Sequence, residues 1–441
     1  MFKLDENKTD FKTEIIAGIT TFLPMSYILG VNPGMLSETG MSLSGVFIAT
    51  ALASGIACII MGLLSNYPVG LAPGMGLNAL FTYTIVLGMG LSWQAALAAV
   101  FLSSVLFLII TLVGLREAIL NTIPKDLKLA IGAGIGFFLA FLGLANAGII
   151  AASPSTLVTL GPLTSAPILL ALVGIAITLI LYVREVPASV FVGLLITAII
   201  GVILSLAGLG TADGVLPSLP AQWISFDLDF SVFAGFASGF GELFQNIPSL
   251  IMILFSLLFV TFFDTTGTLI PLAKECGYEK EDGTTEGINR AFISDALGGI
   301  VGAIFGSSTI TAYVESATGI CLGGRTGLTA IVTGILFILS VFFAPTVLAL
   351  FTSSVTTAAL VTVGILMFVQ IKDIEWDNLA IVAAVFMTII MMVLSYSISL
   401  GIAFGFITYT IVAAATGKAK EMSPLVWVLF IVFLIYLFFG L

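Results

Sequence analysis

Apolar runs long enough to cross a bilayer follow one another along almost the whole chain. They lie at about 15–31, 44–63, 71–90, 93–114, 127–150, 166–182 and 188–208, and, beyond a polar acidic stretch at 209–247, at 248–270, 288–305, 307–323, 326–343, 354–370, 379–395 and 397–416. A spanning helix needs about 20 apolar residues, so the pattern predicts an all-α polytopic membrane protein of seven helices, a long loop and seven more. One further run, 424–440, is left over, and its pattern does not say whether it spans. Two segments interrupt the helical pattern. The third opens PVGLAPGMGLNALF and the tenth reads SSTITAYVESATGICLGGR, both rich in small and turn-forming residues. Such segments predict broken helices lining a cavity, where irregular backbone is tolerated at membrane depth. An odd number of spans per copy also turns the second copy upside down, the parity of an inverted repeat.

Composition agrees with the class and charge orients it. Of 441 residues, 59% are hydrophobic and 9% charged, too few charges for a soluble surface. With the N-terminus inside, all 14 Lys and Arg residues, among them Lys3, Arg116, Arg184, Lys280, Arg325, Lys372, Lys418 and Lys420, fall on the inner side. The net charge of −10 is spread along the chain, and the scattered cations form no basic stripe, which excludes nucleic-acid binding. Histidine is absent, so Ser-His-Asp and HExxH chemistry are excluded and proton carriage falls to Asp and Glu. Cys58, Cys276 and Cys321 are far apart and predict neither disulfides nor a metal site, and no cofactor motif is present. The GAGIG run at 132–136 lacks the spacing of a nucleotide loop and reads as helix packing. The first apolar run, without a cleavage site, reads as an uncleaved span.

Three acids lie within the second set of spans: Asp264 in FFDTTG, Asp295 in RAFISDALGG and Glu315 in AYVES. An ionisable group inside a membrane costs several kcal/mol and marks a candidate site. Asp264 reads either as a site acid or as the cap of a helix break at Thr265, Thr266 and Gly267, and Asp295 as a functional acid, an ion pair with Arg290 or a helix-packing hydrogen bond. Glu315 has no base nearer than Arg325. Asn78, Thr20, Thr21, Thr265, Thr266, Thr311 and Ser316 complete a pocket suited to a flat, neutral, hydrogen-bonding molecule, on which Phe81, Phe262, Phe263 or Tyr313 could stack. The aromatics Trp223, Phe226, Phe230 and Phe233 of the long loop predict an interfacial helix.

These motifs carry a resemblance. GITTFLPMSYILGVNPGMLSETGM, GLAPGMGLNALF, FDTTGTL and YVESATGICLGGRTG occur in order across essentially the whole chain, which is similar to the AzgA-type branch of the nucleobase:cation symporter-2 family, permeases for hypoxanthine, guanine and in some members adenine. The resemblance implies a fourteen-helix 7+7 inverted repeat, as in uracil permeases, with segments 3 and 10 broken. It implies a core domain (1–126 and 248–345), a gate domain (127–208 and 346–441, the latter with the C-terminal apolar run) and an extracellular loop with interfacial helix (209–247). It places the family's substrate acids on Asp264 and Glu315, the ninth-segment acid on Asp295 and the third-segment polar residue on Asn78. The Gln-His pair and Asn-x-Gly motif of the uracil and xanthine branch are missing, which turns the expectation toward purines.

The expected function is therefore non-enzymatic: import of a purine nucleobase across the cell membrane by proton symport with alternating access, Asp264 and Glu315 carrying the proton and Asp295 assisting. Sodium stays open as the coupling ion, since carboxylate, hydroxyl and carbonyl oxygens also suit it. The bilayer is the other partner, with a homodimer among the arrangements left open. Two rival readings are an anion transporter on the same fold, against which the lack of a basic residue at the broken segments counts, and an intramembrane aspartyl protease, against which the single DTT string counts.

Overall fold

A computed structural model describes residues 2, 4–114, 124–209, 216–278, 285–417, 419 and 422–439. Helix α1 (Phe11–Met25), capped by Asp10 through Thr13 N at 2.9 Å, is interrupted at Ser26 and Tyr27 before α2 (Ile28–Ser37) completes the first span. The two ends of the bundle are named here for Glu14, near the start of α1, and Glu38, just past α2. Helix α3 (Leu43–Ile60) returns to the Glu14 end and closes in a π turn, Met61–Ser65. Segment three is a strand, β1 (Leu71–Pro73), followed by α4 (Met75–Ala79) and a π-helical continuation, Leu80–Gly88. Then come α5 (Trp93–Val113), α6 (Lys125–Asn146), a hairpin of β2 (Ile150–Ser153) and β3 (Leu157–Leu160), α7 (Ala166–Val183) and α8 (Ser189–Leu206).

The second half repeats the plan. After the short α9 (Phe236–Leu243) it has α10 (Ile247–Glu275), α11 (Ile288–Phe305), and a broken segment made of β4 (Ile310–Ala312), a 3-10 turn at Val314–Ser316 and α12 (Ala317–Cys321). Helices α13 (Gly327–Ser340), α14 (Ala344–Leu350), α15 (Ser353–Phe368), α16 (Leu379–Leu394), α17 (Ile398–Ala415) and α18 (Pro424–Phe439) complete it. The fold is the expected 7+7 arrangement. Helix α18 is the leftover run. It packs on α17, and its Phe433 ring meets Phe255 and Phe259 of α10 and Phe406 of α17 at 5.2, 5.8 and 5.3 Å between centroids.

Small residues decide which helices approach. A Cβ on Gly136 of α6 would lie 2.5 Å from the Gly364 carbonyl of α15, and one on Gly364 would lie 2.5 Å from the Gly136 carbonyl. These are the fifth spans of the two halves, meeting reciprocally, as a two-fold axis in the membrane plane requires. Gly62 and Gly327 make a like crossing between α3 and α13, each Cβ site being within 2.3 Å of the other's carbonyl. Two packing groups result: α1, α2, α3, α5, α10, α11 and α13 around the broken segments, and α6, α7, α8, α15, α16 and α17 beside them. In the second half the chain passes from α14, which packs on α2 and α3, to α15 through Phe351 and Thr352 alone.

The loop between α8 and α10 lies along the Glu38 end. Ser218 N and Ser225 N donate to the carbonyls of Ala349 and Phe342, and Ala234 N to that of Ile304. Asp229 accepts from the Ser42 and Ser44 hydroxyls at 2.5 and 2.7 Å, and the Ser42 hydroxyl followed by that of Ser231 holds its carboxyl well below the usual carboxylate range. The helix of this stretch is α9, and Trp223, Phe226, Phe230 and Phe233 precede it on chain without regular secondary structure. Lys3, Arg116, Lys280, Lys418 and Lys420 lie outside the described residues.

Candidate functional site

Pro73 has no N–H to donate, and Gly70 and Gly74 flank the strand, so the chain stays extended until α4 begins. Across from it, the β-branched run Thr309, Ile310 and Thr311 favours β4. The two strands pair antiparallel, Leu71 with Ala312, Ala72 with Thr311 and Pro73 with Ile310. Gly74 N donates to the Thr309 carbonyl and Tyr313 N to the Gly70 carbonyl, each at 3.0 Å, and Gly70 N donates to the Ser316 hydroxyl at 3.0 Å. Each break thus satisfies backbone groups that the other exposes, which is what allows non-helical chain deep in a membrane.

Asp264 stands midway along α10. That helix is continuous through Thr265, Thr266 and Gly267, so Asp264 does not cap a break. Its Oδ2 is 3.2 Å from where a Cβ on Gly74 would sit, which puts a carboxylate beside the first turn of α4 and its unused N–H groups. No group among the described residues hydrogen-bonds it. A Cβ on Gly267, one turn further, would meet nothing within 4 Å, so this helix face borders open space.

Glu315 lies in the 3-10 turn beyond β4, half-buried, and its Oε1 accepts from the Tyr27 hydroxyl at 3.0 Å. Tyr27 occupies the interruption between α1 and α2, and its ring centroid is 6.4 Å from that of Tyr313. The Tyr313 hydroxyl is spent on the Pro73 carbonyl at 2.5 Å, locking one broken segment to the other. Asp295 and Glu315 both lie near enough to Asp264 for their charges to act on it.

Asp295 is buried and bonded. It accepts from the Thr265 hydroxyl at 2.7 Å and from Ala312 N of β4 at 2.8 Å, and Thr265 in turn sits 3.3 Å from the Thr311 hydroxyl. Of the readings open for Asp295, the packing hydrogen bond describes its contacts. Asn78 is buried in the first turns of α4, where its carbonyl oxygen accepts from Ser308, and Asn32 of α2 joins the neighbouring Ser307 to Thr50 of α3. Asn78 thus ties α4 to the chain just ahead of β4, and its buried Nδ2 has no partner among the described residues. Phe81 and Phe262 are buried in packing, and half-buried Phe263 meets Phe259 edge-on at 4.6 Å. Thr21 is buried where a Cβ on Gly319 would meet its hydroxyl at 2.1 Å, Thr20 accepts through its carbonyl from Thr318, and the Thr266 hydroxyl donates to the Phe262 carbonyl. The structure therefore gathers Asp264, Glu315, Thr265, Thr311, Tyr313, Ser316 and Asp295 about the crossing, with Asn78 bonded to Ser308 at its edge and Phe81 buried in packing.

Two residues escaped the sequence reading. Tyr27 has a signal, the Pro-x-x-Tyr spacing that interrupts the first span. Glu14 has little, standing one residue ahead of an apolar run. It is buried, and its carboxylate caps α13 by accepting from Arg325 N at 2.8 Å, Thr329 N at 3.1 Å and the Thr329 hydroxyl at 2.6 Å. No cluster of three or more metal-ligating side chains occurs among the described residues.

Comparison with known proteins agrees with this architecture. The chain is 45% identical to the guanine/hypoxanthine permease PbuG of Bacillus subtilis over 452 residues, covering 99% of each chain. It is 38% identical to the adenine permease AdeP of Escherichia coli, over 100% of this chain and 95% of that one. Among solved structures, the transmembrane domain of the cyanobacterium bicarbonate transporter BicA superposes with a TM-score of 0.65 at 17% identity, covering 88% of this chain and 97% of that one. SLC26A9 superposes with a TM-score of 0.60 at 11% identity, over 93% and 67%. The profile of the permease family Xan_ur_permease matches residues 12–404, and the chain belongs to that family.

Proposed function

We propose that this permease imports purine nucleobases, hypoxanthine or guanine and in the same pocket adenine, by proton symport through alternating access. One observation carries the reading: Asp264, a carboxylate without a hydrogen-bond partner among the described residues, and a second, Glu315, flank the crossing of the two broken segments, with no Lys or Arg in those segments before Arg325. A carboxylate matches the adjacent N1–H and 2-amino donors of guanine in a two-point, charge-assisted contact, and hypoxanthine keeps one of those donors. The same acids repel an anion, which argues against anion transport on this fold. A proton taken by the pair neutralises the site before it moves, and each charge moved contributes about 2.3 kcal/mol per 100 mV. Tyr27 orients Glu315 through its hydroxyl, and Asp295 positions Thr265 and β4.

The two packing groups act as core (1–126 and 248–345) and gate (127–208 and 346–441), with the N-terminus and the Glu14 end in the cytoplasm and the loop at 209–247 outside. The groups touch where α1 meets α8, α2 meets α15, α4 and α10 meet α6, and the π-helical continuation meets α17.

The test is uptake of labelled hypoxanthine into proteoliposomes under an imposed pH gradient without sodium. Wild type accumulates the base and Glu315→Gln does not. A wild type that ignores all three purines refutes the substrate, and accumulation that needs sodium refutes the proton.

A further inference from the structure

At the Glu38 end, away from the acids, a cavity of about 360 Å³ opens between α2 and the start of α15. It shares no residue with the strand crossing. Its size falls at the low end of small-molecule sites, which run from about 300 Å³ upward. Gly34 forms part of the wall on α2, and a Cβ there would meet nothing within 4 Å, so a side chain at that position would project into the open space. Phe351 supplies a ring, and Glu38, Asn146 and Ser353 supply polar groups.

Those polar groups are only partly used. Glu38 accepts from the Tyr83 hydroxyl through Oε1 at 2.9 Å, and Asn146 donates to the same hydroxyl through Nδ2 at 3.2 Å. Glu38, Asn146 and Ser353 are exposed at the cavity mouth, and among the described residues Glu38 Oε2, the Asn146 carbonyl oxygen and the Ser353 hydroxyl bond no other protein group. The Tyr83 hydroxyl is also the tie between the packing groups here, since Tyr83 follows α4 whereas Asn146 ends α6, and the Tyr83 ring meets Tyr396 at 5.8 Å.

We propose that this cavity is a second nucleobase site, an outer vestibule in which Glu38 and Asn146 hydrogen-bond the edge of the base and Phe351 meets its face before the path to the crossing opens. The proposal rests on the purine and topology reading above. A base that claims Glu38 and Asn146 competes with Tyr83 for both, so its arrival loosens the tie that closes this end. Burial pushes the Glu38 carboxyl above its ordinary value in spite of the Tyr83 hydrogen bond.

The experiment compares entry of labelled guanine in right-side-out vesicles with entry in inside-out vesicles. Glu38→Gln is expected to raise KM about tenfold from the outer side, the loss of one charge-assisted contact, and to leave KM from the inner side unchanged. Gly34→Phe, whose ring has room in the cavity, raises outer KM in the same one-sided way. Tyr83→Phe removes the competitor for both groups but keeps the carboxylate, and lowers outer KM. The vestibule site is overturned if both variants at Glu38 and Gly34 behave as wild type, if KM changes equally from both sides, or if Tyr83→Phe reproduces Glu38→Gln. A wild type that carries no purine from either side fails the proposed function instead, a separate result.

Discussion

Replacing Asp295 separates a positioning acid from a proton carrier. In Asp295→Ala, Ala312 N loses its acceptor at 2.8 Å inside a membrane-embedded strand, and Thr265 loses the acceptor at 2.7 Å. A buried donor left alone costs about 1–3 kcal/mol. The Thr265 hydroxyl can turn to Thr311, 3.3 Å away, and recover part of its share. The sum is about 2–4 kcal/mol of stability, together with a β4 that no longer holds its register against β1. Asp295→Asn behaves differently. Its carboxamide oxygen still accepts from Ala312 N, its NH2 faces the Thr265 oxygen, and Thr265 passes its proton toward Thr311, so charge-assisted bonds become neutral ones at a cost of about 1 kcal/mol. Thermal unfolding in nanodiscs reads the stabilities, and hypoxanthine exchange without a gradient is compared with accumulation driven by a pH gradient. The expected order is wild type, Asn, then Ala in both stability and transport, with Asn still accumulating. An Asn variant that exchanges at the wild-type rate but fails to accumulate would refute the positioning role and make Asp295 the coupling acid.

Gly364→Ala places a methyl 2.5 Å from the Gly136 carbonyl, backbone that cannot swing away, and is expected to lower stability by about 1–3 kcal/mol; a melting temperature equal to wild type would show that α6 and α15 separate freely. Glu14→Gln keeps one acceptor for the three donors now served by the carboxylate and should cost about 1.5–3 kcal/mol, read as faster hydrogen exchange at Arg325 and Thr329; unchanged protection there would remove Glu14 as the cap of α13. The Asp229 carboxyl is depressed in the folded protein, so its contribution is complete above the ordinary carboxylate pKa and fades only as pH falls through the lower folded value. Hydrogen exchange of residues 216–235 should therefore be the same at pH 8 as at pH 5 once corrected for intrinsic rate, and faster in Asp229→Asn at both. A loop that loosens between those two pH values in the wild type contradicts that sign.

What could be read from the chain follows physical scale. Periodicity and span length revealed the fourteen segments, and the Gly, Pro and Ser interruptions in PVGLAPGMG and SSTITAYVES marked both breaks, because those residues restrict the backbone locally. Asp264, Asp295 and Glu315 stood out because charge in lipid is rare. Their different situations were not legible. Whether an acid is free or bonded depends on what another segment brings to it, and Ala312 N and Thr265 reach Asp295 only after β4 crosses β1. Tyr27, Glu38 and Tyr83 were hidden for the same reason, each acting across 45 to 288 positions of sequence. The cavity beside Gly34 is a gap, and a gap has no residue to announce it.

The link at Phe351 and Thr352 limits how the two groups can move. From Leu350 to Ser353 there are three Cα steps, about 11 Å at full stretch. Phe351 is also wedged against α2, since a Cβ on Gly30 would lie 2.6 Å from the Phe351 Cβ. A corner so short and so lodged cannot let α15 slide far along α14. It works as a fulcrum, and displacement grows with distance from it, so the Glu14 end travels further than the Glu38 end. A small rotation at this corner opens a wide mouth at the Glu14 end.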